Sequence, residues 1–370
     1  MARVAAQLTN FTAGELSPRL DGRVDLAKYP AGCATVENMV IYPHGAAARR
    51  PGTQYIAPVK TSSAKTRLIP FEFSTTQTYI LELGNQYIRF FRDNGQILSG
   101  GSPYEISSPY LTAELFDIKF AQSADVMYIT HPNHKTRKLS RTGHTSWSLT
   151  EVEFTNGPFL DTNTSTTTLT ASGVSGSVTI TASSSTFVST DVGRQVRIGS
   201  GHSKITAFGS ATSVTVTTTT NFPNTNASTD WSLGAFSTTT GHPSCVSFFE
   251  QRLVFAATLN NPQTVYFSKS GDYENMDANI GGTVADDDAI IYTIASNQVN
   301  AIRFMTATRT LIIGTAGGEF TVSGGGTDSA VTPTNILIKK QSNHGAANVD
   351  AIAVGNATLF LQRAKRKIRE

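Results

Sequence analysis

The sequence is poor in charged residues. Lys, Arg, Asp and Glu make up 15% of its 370 residues, against roughly 25% in typical soluble domains. The 30 basic residues nearly balance the 27 acidic ones, which leaves a formal net charge of +3. A protein that binds nucleic acid by neutralising phosphates needs a Lys or Arg for each contact. The charge balance therefore argues against a sequence-specific nucleic-acid-binding protein.

Cysteine and long apolar runs are also scarce. The only cysteines, Cys33 and Cys245, stand far apart, so they support neither a disulfide framework nor a structural zinc site, and both are predicted to be buried. No run approaches the ~18 apolar residues that span a bilayer. The N-terminus lacks the apolar segment of a signal peptide. The sequence predicts a soluble chain, made in the cytoplasm, that does not insert into a membrane.

Ser, Thr and Gly take the place of the missing charges. The chain is rich in Thr, Val, Ile, Phe and Tyr and contains 30 glycines, a composition typical of short strands joined by turns. Its length corresponds to two compact units or one large β architecture. The predicted fold class is all-β.

A strand–turn–strand pattern recurs from about residue 67 onward. Its instances are centred on Tyr79, Met127, Leu253, Leu311 and Leu359. Three of the four intervals are about 50 residues, and so is the fourth once a Thr/Ser-rich block of about 75 residues is subtracted. Such periods, with several strands each, are typical of propeller blades. The alternative is an irregular sandwich with coincidental spacing.

These patterns divide the chain into four parts. Residues 1–60, which Gly and Pro interrupt repeatedly, are predicted to form an extended N-terminal arm with a short helix over 25–29. Residues 61–160 and 237–370 form a β-propeller-like platform, and 161–236 form an inserted small β-sandwich or barrel. The last repeat is incomplete, so the arm, another chain or more of a longer polypeptide would complete the ring.

Two groups of residues could bind a metal ion. The acidic run 286–288 could hold a hard cation or supply an acid/base pair, but a solvated turn before a strand explains it better. His131 and His134, with His144 further on, offer imidazole ligands, yet the Pro and Asn between the first two mark a tight turn. With no catalytic constellation in the sequence, we predict no enzymatic activity, no metal and no cofactor.

A basic pattern occupies the C-terminal segment. If residues 363–369 are extended, Arg363, Lys365, Lys367 and Arg369 share one face of a strand. That face could meet acidic groups of a neighbour or line a passage for a polyanion. The alternative is an edge strand whose charges prevent aggregation.

Several segments, in order, carry a family resemblance. They are 11–18 (FTAGELSP), 22–26 (GRVDL) with Tyr29, 37–38 (EN), 49–53 (RRPGT), 241–256 (GHPSCVSFFEQRLVFA), 261–264 (NPQT), 268–273 (SKSGDY), 287–290 (DDAI), 314–319 (GTAGGE) and 361–370 (LQRAKRKIRE). They resemble the tail nozzle proteins, also called tail tubular protein B, of short-tailed bacteriophages. The resemblance covers both ends and most of the middle of the chain. In similar proteins the last segment lies well inside a longer chain.

The resemblance implies a structural protein of the virion tail. Six copies would form a ring below the head–tail adaptor, enclose the DNA ejection channel and anchor tail fibres or spikes. Viral DNA would pass without sequence-specific binding, and assembly would take place in the cytoplasm of the bacterial host. A nearly neutral β scaffold suits a conduit that should not grip a passing polyanion.

The arm is the predicted assembly contact. It would reach the adaptor or the adjacent subunit and lock it through paired charges and strand addition. The alternative for Arg23 and Asp25 is a local ion pair that shapes a turn. The residues of this predicted contact are Phe11, Glu15, Arg19, Arg23, Asp25, Tyr29, Arg49 and Arg50.

A second function class stays open, a secreted or surface β-propeller that binds or hydrolyses carbohydrate. Glycosidases need two carboxylates that face one cleft. The sequence offers Glu250, Asp272 and Glu319 as candidates, but no signal peptide accompanies them.

Overall fold

The computed structural model describes residues 7–280, 282–295, 300–326, 329–355 and 357–370. The chain forms two units, Met1–Ala57 and Pro58–Glu370. In the described ranges the regular elements are β-strands and three short 3-10 helices, with no α-helix. No helix in those ranges is long and apolar enough to cross a membrane.

The N-terminal unit contains two small strand pairs. β1 (Gly14–Glu15) pairs in parallel with β2 (Gly32–Cys33), and β3 (Met39–Ile41) forms an antiparallel pair with β4 (Ala47–Arg49). Gly45 is the only buried residue among positions 7–57. This unit therefore has no hydrophobic core of its own.

The short helix predicted over 25–29 is absent. Residues 24–28 form turns and a bend, and a 3-10 helix begins at Tyr29 and ends at Ala31. Pro30 lacks an N–H group and can occupy only the first turn of a helix. An α-helix that begins at Asp25 would meet this proline one turn later, which limits it to a turn.

Five antiparallel sheets of the second unit form propeller-like blades. Blade 1 has the order β11-β7-β6-β5, with β8 paired to β7, and it comprises β5 (Arg67–Ser74), β6 (Gln77–Gly84), β7 (Tyr87–Arg92), β8 (Gly95–Gln96), the separate hairpin strands β9 (Leu98–Ser99) and β10 (Ser102–Pro103), and β11 (Glu105–Ser107). Blade 2 comprises β12 (Lys119–Ser123), β13 (Val126–His131), β14 (His134–Gly143) and β15 (Ser146–Glu151).

An inserted sheet separates blade 2 from blade 3. Its strands, in the order β16-β17-β20-β19-β18-β21, are β16 (Leu169–Ala171), β17 (Ser177–Ala182), β18 (Gln195–Ile198), β19 (Gly201–Ser210), β20 (Ser213–Thr220) and β21 (Trp231–Leu233). Leu169 and Ser228 exchange two backbone hydrogen bonds of 2.9 Å, which brings β16 to the segment that leads into β21. The sheet therefore curls into a small barrel.

The remaining blades follow the barrel in chain order. Blades 3 and 4 are four-stranded meanders, and blade 5 has three strands. Their strands are β22 (Cys245–Phe249), β23 (Arg252–Ala256), β24 (Thr264–Phe267) and β25 (Ile290–Thr293); β26 (Ile302–Ala307), β27 (Leu311–Thr315), β28 (Gly318–Ser323) and β29 (Leu337–Ser342); and β30 (Ile352–Val354), β31 (Ala357–Leu361) and β32 (Ile368–Arg369).

Apolar clusters lie between consecutive blades. Leu81 of blade 1 belongs to one cluster with Met127 of blade 2, and Tyr128 of blade 2 to another with Leu253 of blade 3. Further clusters join blade 3 to blade 4 and blade 4 to blade 5, the last through Phe304 and Phe360. Blades whose faces pack on their neighbours are characteristic of a propeller, which confirms the predicted fold class.

Alternating side chains explain the barrel and its Thr/Ser content. Along β17, Val178, Ile180 and Ala182 are buried, whereas Ser177 and Thr179 are exposed. The buried set joins the core of the barrel. Because every second side chain of a strand faces the opposite side of the sheet, only one face of this strand needs an apolar covering.

Candidate functional site

Several charged groups of the arm are committed to contacts within the arm. Arg23 Nε and Nη2 donate to Asp25 Oδ1 and Oδ2 at 2.7 and 2.6 Å. This exposed ion pair lowers the pKa of Asp25. Glu15 Oε2 accepts from the Val36 backbone N–H at 2.8 Å, and Arg50 Nε donates to Asn38 Oδ1 at 2.8 Å. The Arg23–Asp25 pair lies at a turn, as the local alternative for these two residues predicts, whereas the other two contacts join segments that are farther apart along the arm.

Two arginines of the arm remain uncommitted. Arg19 and Arg49 are exposed, and their guanidinium groups have no hydrogen-bond or ion-pair partner among the described residues. The aromatic residues of the predicted set are held locally, since Tyr29 Oη accepts from the Gly22 N–H at 3.0 Å and the Phe11 N–H donates to the Gly45 carbonyl at 2.9 Å. In the predicted contact set, Arg19 and Arg49 are therefore the arginines whose guanidinium groups have no partner among the described residues, while Arg50 donates only to neutral groups.

The β3–β4 hairpin is the part of the arm best suited to strand addition. Met39 and Val40 are successive in β3 and both are exposed, so both faces of the hairpin meet solvent. An isolated two-stranded hairpin is at best marginally stable in water, and its outer edges carry unpaired N–H and C=O groups. Such an edge can add to the sheet of a partner.

Polar groups from the beginnings of the blades meet near one end of the propeller. Lys119 Nζ, at the start of β12, donates to Asp350 Oδ1, two residues before β30, at 2.7 Å. Asn348 Nδ2 donates to Asp117 Oδ1 at 3.1 Å. These contacts join blade 5 to blade 2 across the platform. The Lys119–Asp350 pair therefore places one cation and one carboxylate together at this point.

Blades 1 and 5 each expose apolar side chains on the face turned away from the neighbouring blade. On blade 1, Leu68 and Ile80 are 63% and 42% exposed, while Ile69 points to blade 2 and is buried. On blade 5, Ile352 and Ile368 are 65% and 72% exposed. Consecutive blades bury such faces against each other, whereas among the described residues no blade packs on these two.

The predicted basic strand face requires residues 363–369 to be extended, and they are not extended throughout. Residues 363–366 form a turn and bend, Lys365 has a φ of 56°, and only Ile368 and Arg369 are in a strand. β31 needs a partner strand for its backbone groups, and the chain folds back so that the Gln362 N–H donates to the Lys367 carbonyl at 3.0 Å. Arg363, Lys365, Lys367 and Arg369 therefore do not share one strand face.

The acidic run 286–288 forms the turn before β25, as predicted, but it is not fully solvated. Asp288 is 3% exposed and accepts from Lys269 Nζ at 2.8 Å. The buried Arg252 guanidinium donates to the backbone carbonyls of all three aspartates. These contacts explain the acidic run as a structural turn.

The carboxylates of the glycosidase alternative hold backbone groups. Glu250 Oε2 accepts from the Val331 N–H at 2.7 Å, in the turn that ends β22. Glu319 is buried at the other end of its blade, where it accepts from the Ser342 hydroxyl and the His344 N–H. Glu250 follows the end of β22 and Glu319 lies at the start of β28, so these two do not form the facing pair that glycoside hydrolysis requires. The third candidate, Asp272, lies in the turn after β24, where it forms a backbone bridge with Lys269.

The histidines of the β13–β14 turn lie beside an acid that the sequence analysis did not identify. His134 Nε2 and Glu114 Oε2 are 2.9 Å apart, and one ligand atom each of Glu114, His131 and His134 lies within 4.8 Å of the others. Glu114 comes from the connection between blades 1 and 2, so sequence spacing alone gave no signal of this proximity. His144 is elsewhere, in contact with Tyr79 Oη at 2.6 Å.

The cysteines are not alike. Cys245 is buried, and burial raises the pKa of its thiol to about 11, as expected for an inert packing residue. Cys33 is only partly buried, in β2 of the arm. The prediction that both are buried is wrong for Cys33, because the arm has no core that could cover it.

No protein-family model and no curated protein matches the chain. Among solved structures, BBS1N in complex with ARL6DN is 9% identical, with coverage of 78% of this chain and 72% of that chain and a TM-score of 0.31. Phage phi92 endosialidase is 12% identical, with coverage of 80% of this chain and 48% of that chain and a TM-score of 0.29. YCF48 from Cyanidioschyzon merolae is 14% identical, with coverage of 82% of this chain and 94% of that chain and a TM-score of 0.26. TM-scores this low carry no argument about function, and the propeller-like assignment follows from the blades themselves.

Proposed function

We propose that this chain is a structural protein of a short phage tail, which assembles into the nozzle ring below the head–tail adaptor and encloses the DNA ejection channel. The observation that carries the proposal is the arm: a segment without a core, with an exposed hairpin and two uncommitted arginines. A segment built in this way is stabilised by a partner surface more than by itself. The ordered segments that resemble the tail nozzle proteins support the same proposal.

The terminal blades supply a second feature that a ring requires. Rings form through heterologous contacts, in which one patch of a subunit meets a different patch of the next. The exposed apolar faces of blades 1 and 5 are two such different patches. Packing of blade 5 of one copy on blade 1 of the next would bury both, in the same way as consecutive blades within the chain.

The positions of Glu250 and Glu319 at opposite strand ends, and their hydrogen bonds to groups of the fold, favour a passive role over sugar hydrolysis. The blades would form the wall of the ring. The barrel, whose surface strands are rich in Thr and Ser, would project outward as a docking module for fibres or spikes or as a protective cover.

The test is charge reversal at the two uncommitted arginines. Arg19→Glu combined with Arg49→Glu should abolish co-sedimentation of the purified chain with tails that lack this protein, because the arm then repels the acidic groups it pairs with. The matched control is Lys65→Glu with Lys339→Glu, which makes the same charge change at exposed residues outside the arm and should leave co-sedimentation intact. Wild-type co-sedimentation by the arginine variant would overturn the proposed role of the arm.

A further inference from the structure

A second site is formed by Glu114, His131 and His134 in the connection between blades 1 and 2 and the β13–β14 turn. From their geometry we infer that these three side chains bind a divalent first-row transition ion, for which Zn²⁺ is the representative. Two imidazoles and one carboxylate are a ligand set that zinc accepts, with a fourth position left for water or another oxygen. The site would tie the blade 1–blade 2 connection to the turn of blade 2.

The distances allow the ion with small movements. The three ligand atoms lie within 4.8 Å of one another. Zinc bonds of about 2.0–2.2 Å place tetrahedral ligand atoms roughly 3.4 Å apart, so the ligand atoms have to approach one another by up to about 1.4 Å. The side chains of Glu114 and His134 are 19% and 23% exposed, which leaves them room to rotate toward the nearly buried His131.

A bound ion would replace the present contacts of its ligands. The 2.9 Å hydrogen bond between Glu114 and His134 would be replaced by one metal bond to each of these side chains. His131 Nδ1 accepts from the Asn133 N–H at 3.2 Å, a long bond for a nitrogen donor, and this is the only hydrogen bond of the ring among the described residues. Both histidines are therefore held near the site without strong competing partners.

A buried tyrosine gives independent support. Tyr110 is fully buried, and its hydroxyl has no hydrogen-bond partner among the described residues. Its ring lies 5.3 Å from the His134 ring and 6.2 Å from the His131 ring, between centroids. An unpaired buried hydroxyl is costly, and a metal-bound water or the ion itself would give it a partner. Tyr110, whose ring contacts both imidazoles, is thus a positioning residue of the site.

The experiment is a Zn²⁺ titration of the full chain by calorimetry, with circular dichroism to verify folding. We expect one ion per chain in the wild type. Glu114→Gln and His134→Gln should each weaken binding by more than 10-fold, and Tyr110→Phe by about 10-fold, the range typical of supporting groups around a metal. His344→Gln, which alters an exposed histidine outside the cluster, is the matched control and should keep wild-type affinity.

Co²⁺ provides a readout that does not depend on the variants. Bound to the wild-type chain in place of Zn²⁺, it should give the visible absorption bands of a four- or five-coordinate site, and Zn²⁺ should displace it. Zinc binding that is equal in Glu114→Gln, His134→Gln and the wild type would overturn the inference. So would the absence of both a binding isotherm at micromolar Zn²⁺ and a Co²⁺ band.

Discussion

At the scale of single residues, His242 shows how burial controls protonation. The residue is 7% exposed, and its backbone N–H donates to the Pro132 carbonyl at 3.2 Å. Burial lowers the pKa of the His242 imidazole to about 4, with smaller contributions from Lys135 and His134, while Glu151 acts in the opposite direction. The folded chain therefore keeps this ring neutral over a pH range in which the unfolded chain protonates it.

The pH dependence of stability follows from this difference. Because the folded pKa is below the unfolded value of 6.5, the unfolded state binds the extra proton as the pH falls from 6.5 to about 4. We expect the free energy of unfolding to decrease over that window by about 3 kcal/mol through this residue. His242→Gln should flatten the slope in urea denaturation measured between pH 7 and pH 4, and an unchanged slope would contradict the assignment.

At the scale of elements, the barrel contains an ion pair that water scarcely reaches. Asp191 and Arg194 are 1% and 4% exposed, and Arg194 Nη1 donates to Asp191 Oδ1 at 2.9 Å. The other contacts are also satisfied, since Arg194 Nε donates to the Gly234 carbonyl and the Thr239 hydroxyl donates to Asp191. The pair thus ties the β18 region to the segment after β21.

Removal of the acid should destabilise the barrel strongly. Asp191→Ala leaves the Arg194 guanidinium buried without its carboxylate, which costs about 3–5 kcal/mol. Glu153→Ala removes the exposed partner of Lys204 and should cost less than about 1 kcal/mol. Urea denaturation followed by Trp231 fluorescence distinguishes the two, and equal losses would show that burial of the Asp191–Arg194 pair does not determine its contribution.

At the scale of the whole molecule, the Lys119–Asp350 bond joins blades that are distant in sequence. Lys119 is almost fully buried, whereas Asp350 is half exposed. Solvent around Asp350 limits the contribution of the pair to about 1 kcal/mol. The main effect is local, because the three strands of blade 5 among the described residues pack on blade 4 through the small Phe304–Phe360 cluster.

Loss of this bond should loosen blade 5 selectively. We expect Lys119→Met to accelerate backbone hydrogen exchange in β30 and β31, with little change in blades 3 and 4. A double-mutant cycle with Asp350→Asn measures the coupling between the two side chains. Exchange rates in β30 and β31 equal to those of the wild type would show that the apolar cluster alone holds blade 5.

Much of the fold could be predicted from the sequence because strand periodicity is local. Tyr79, Met127, Leu253, Leu311 and Leu359, the centres of the predicted repeats, are all in the second strand of a blade. The turn that redirects residues 363–366 was missed, because a basic alternating run has the same period whether or not the chain reverses. The chain reverses at this turn because β31 needs a partner strand for its backbone groups.

The candidate sites were less predictable because they depend on contacts between distant segments. Glu114 reaches His134 only because the blade 1–blade 2 connection passes the β13–β14 turn. Whether an apolar face of blade 1 or blade 5 is exposed depends on which other blade packs on it. A single sequence does not specify this packing. The division of arm residues into committed and free groups likewise depends on individual hydrogen bonds, as Arg50 and Asn38 illustrate.

The central claim, that this chain is a ring-forming structural subunit, is tested most directly by its mass in solution. Sedimentation velocity of the purified chain, compared with an Ile352→Asp and Ile368→Asp variant of equal folding stability, measures assembly without any other tail protein. We predict a closed oligomer for the wild type and a monomer for the variant, since the aspartates place charge on the blade 5 face. A wild-type chain that stays monomeric at every concentration would contradict the account.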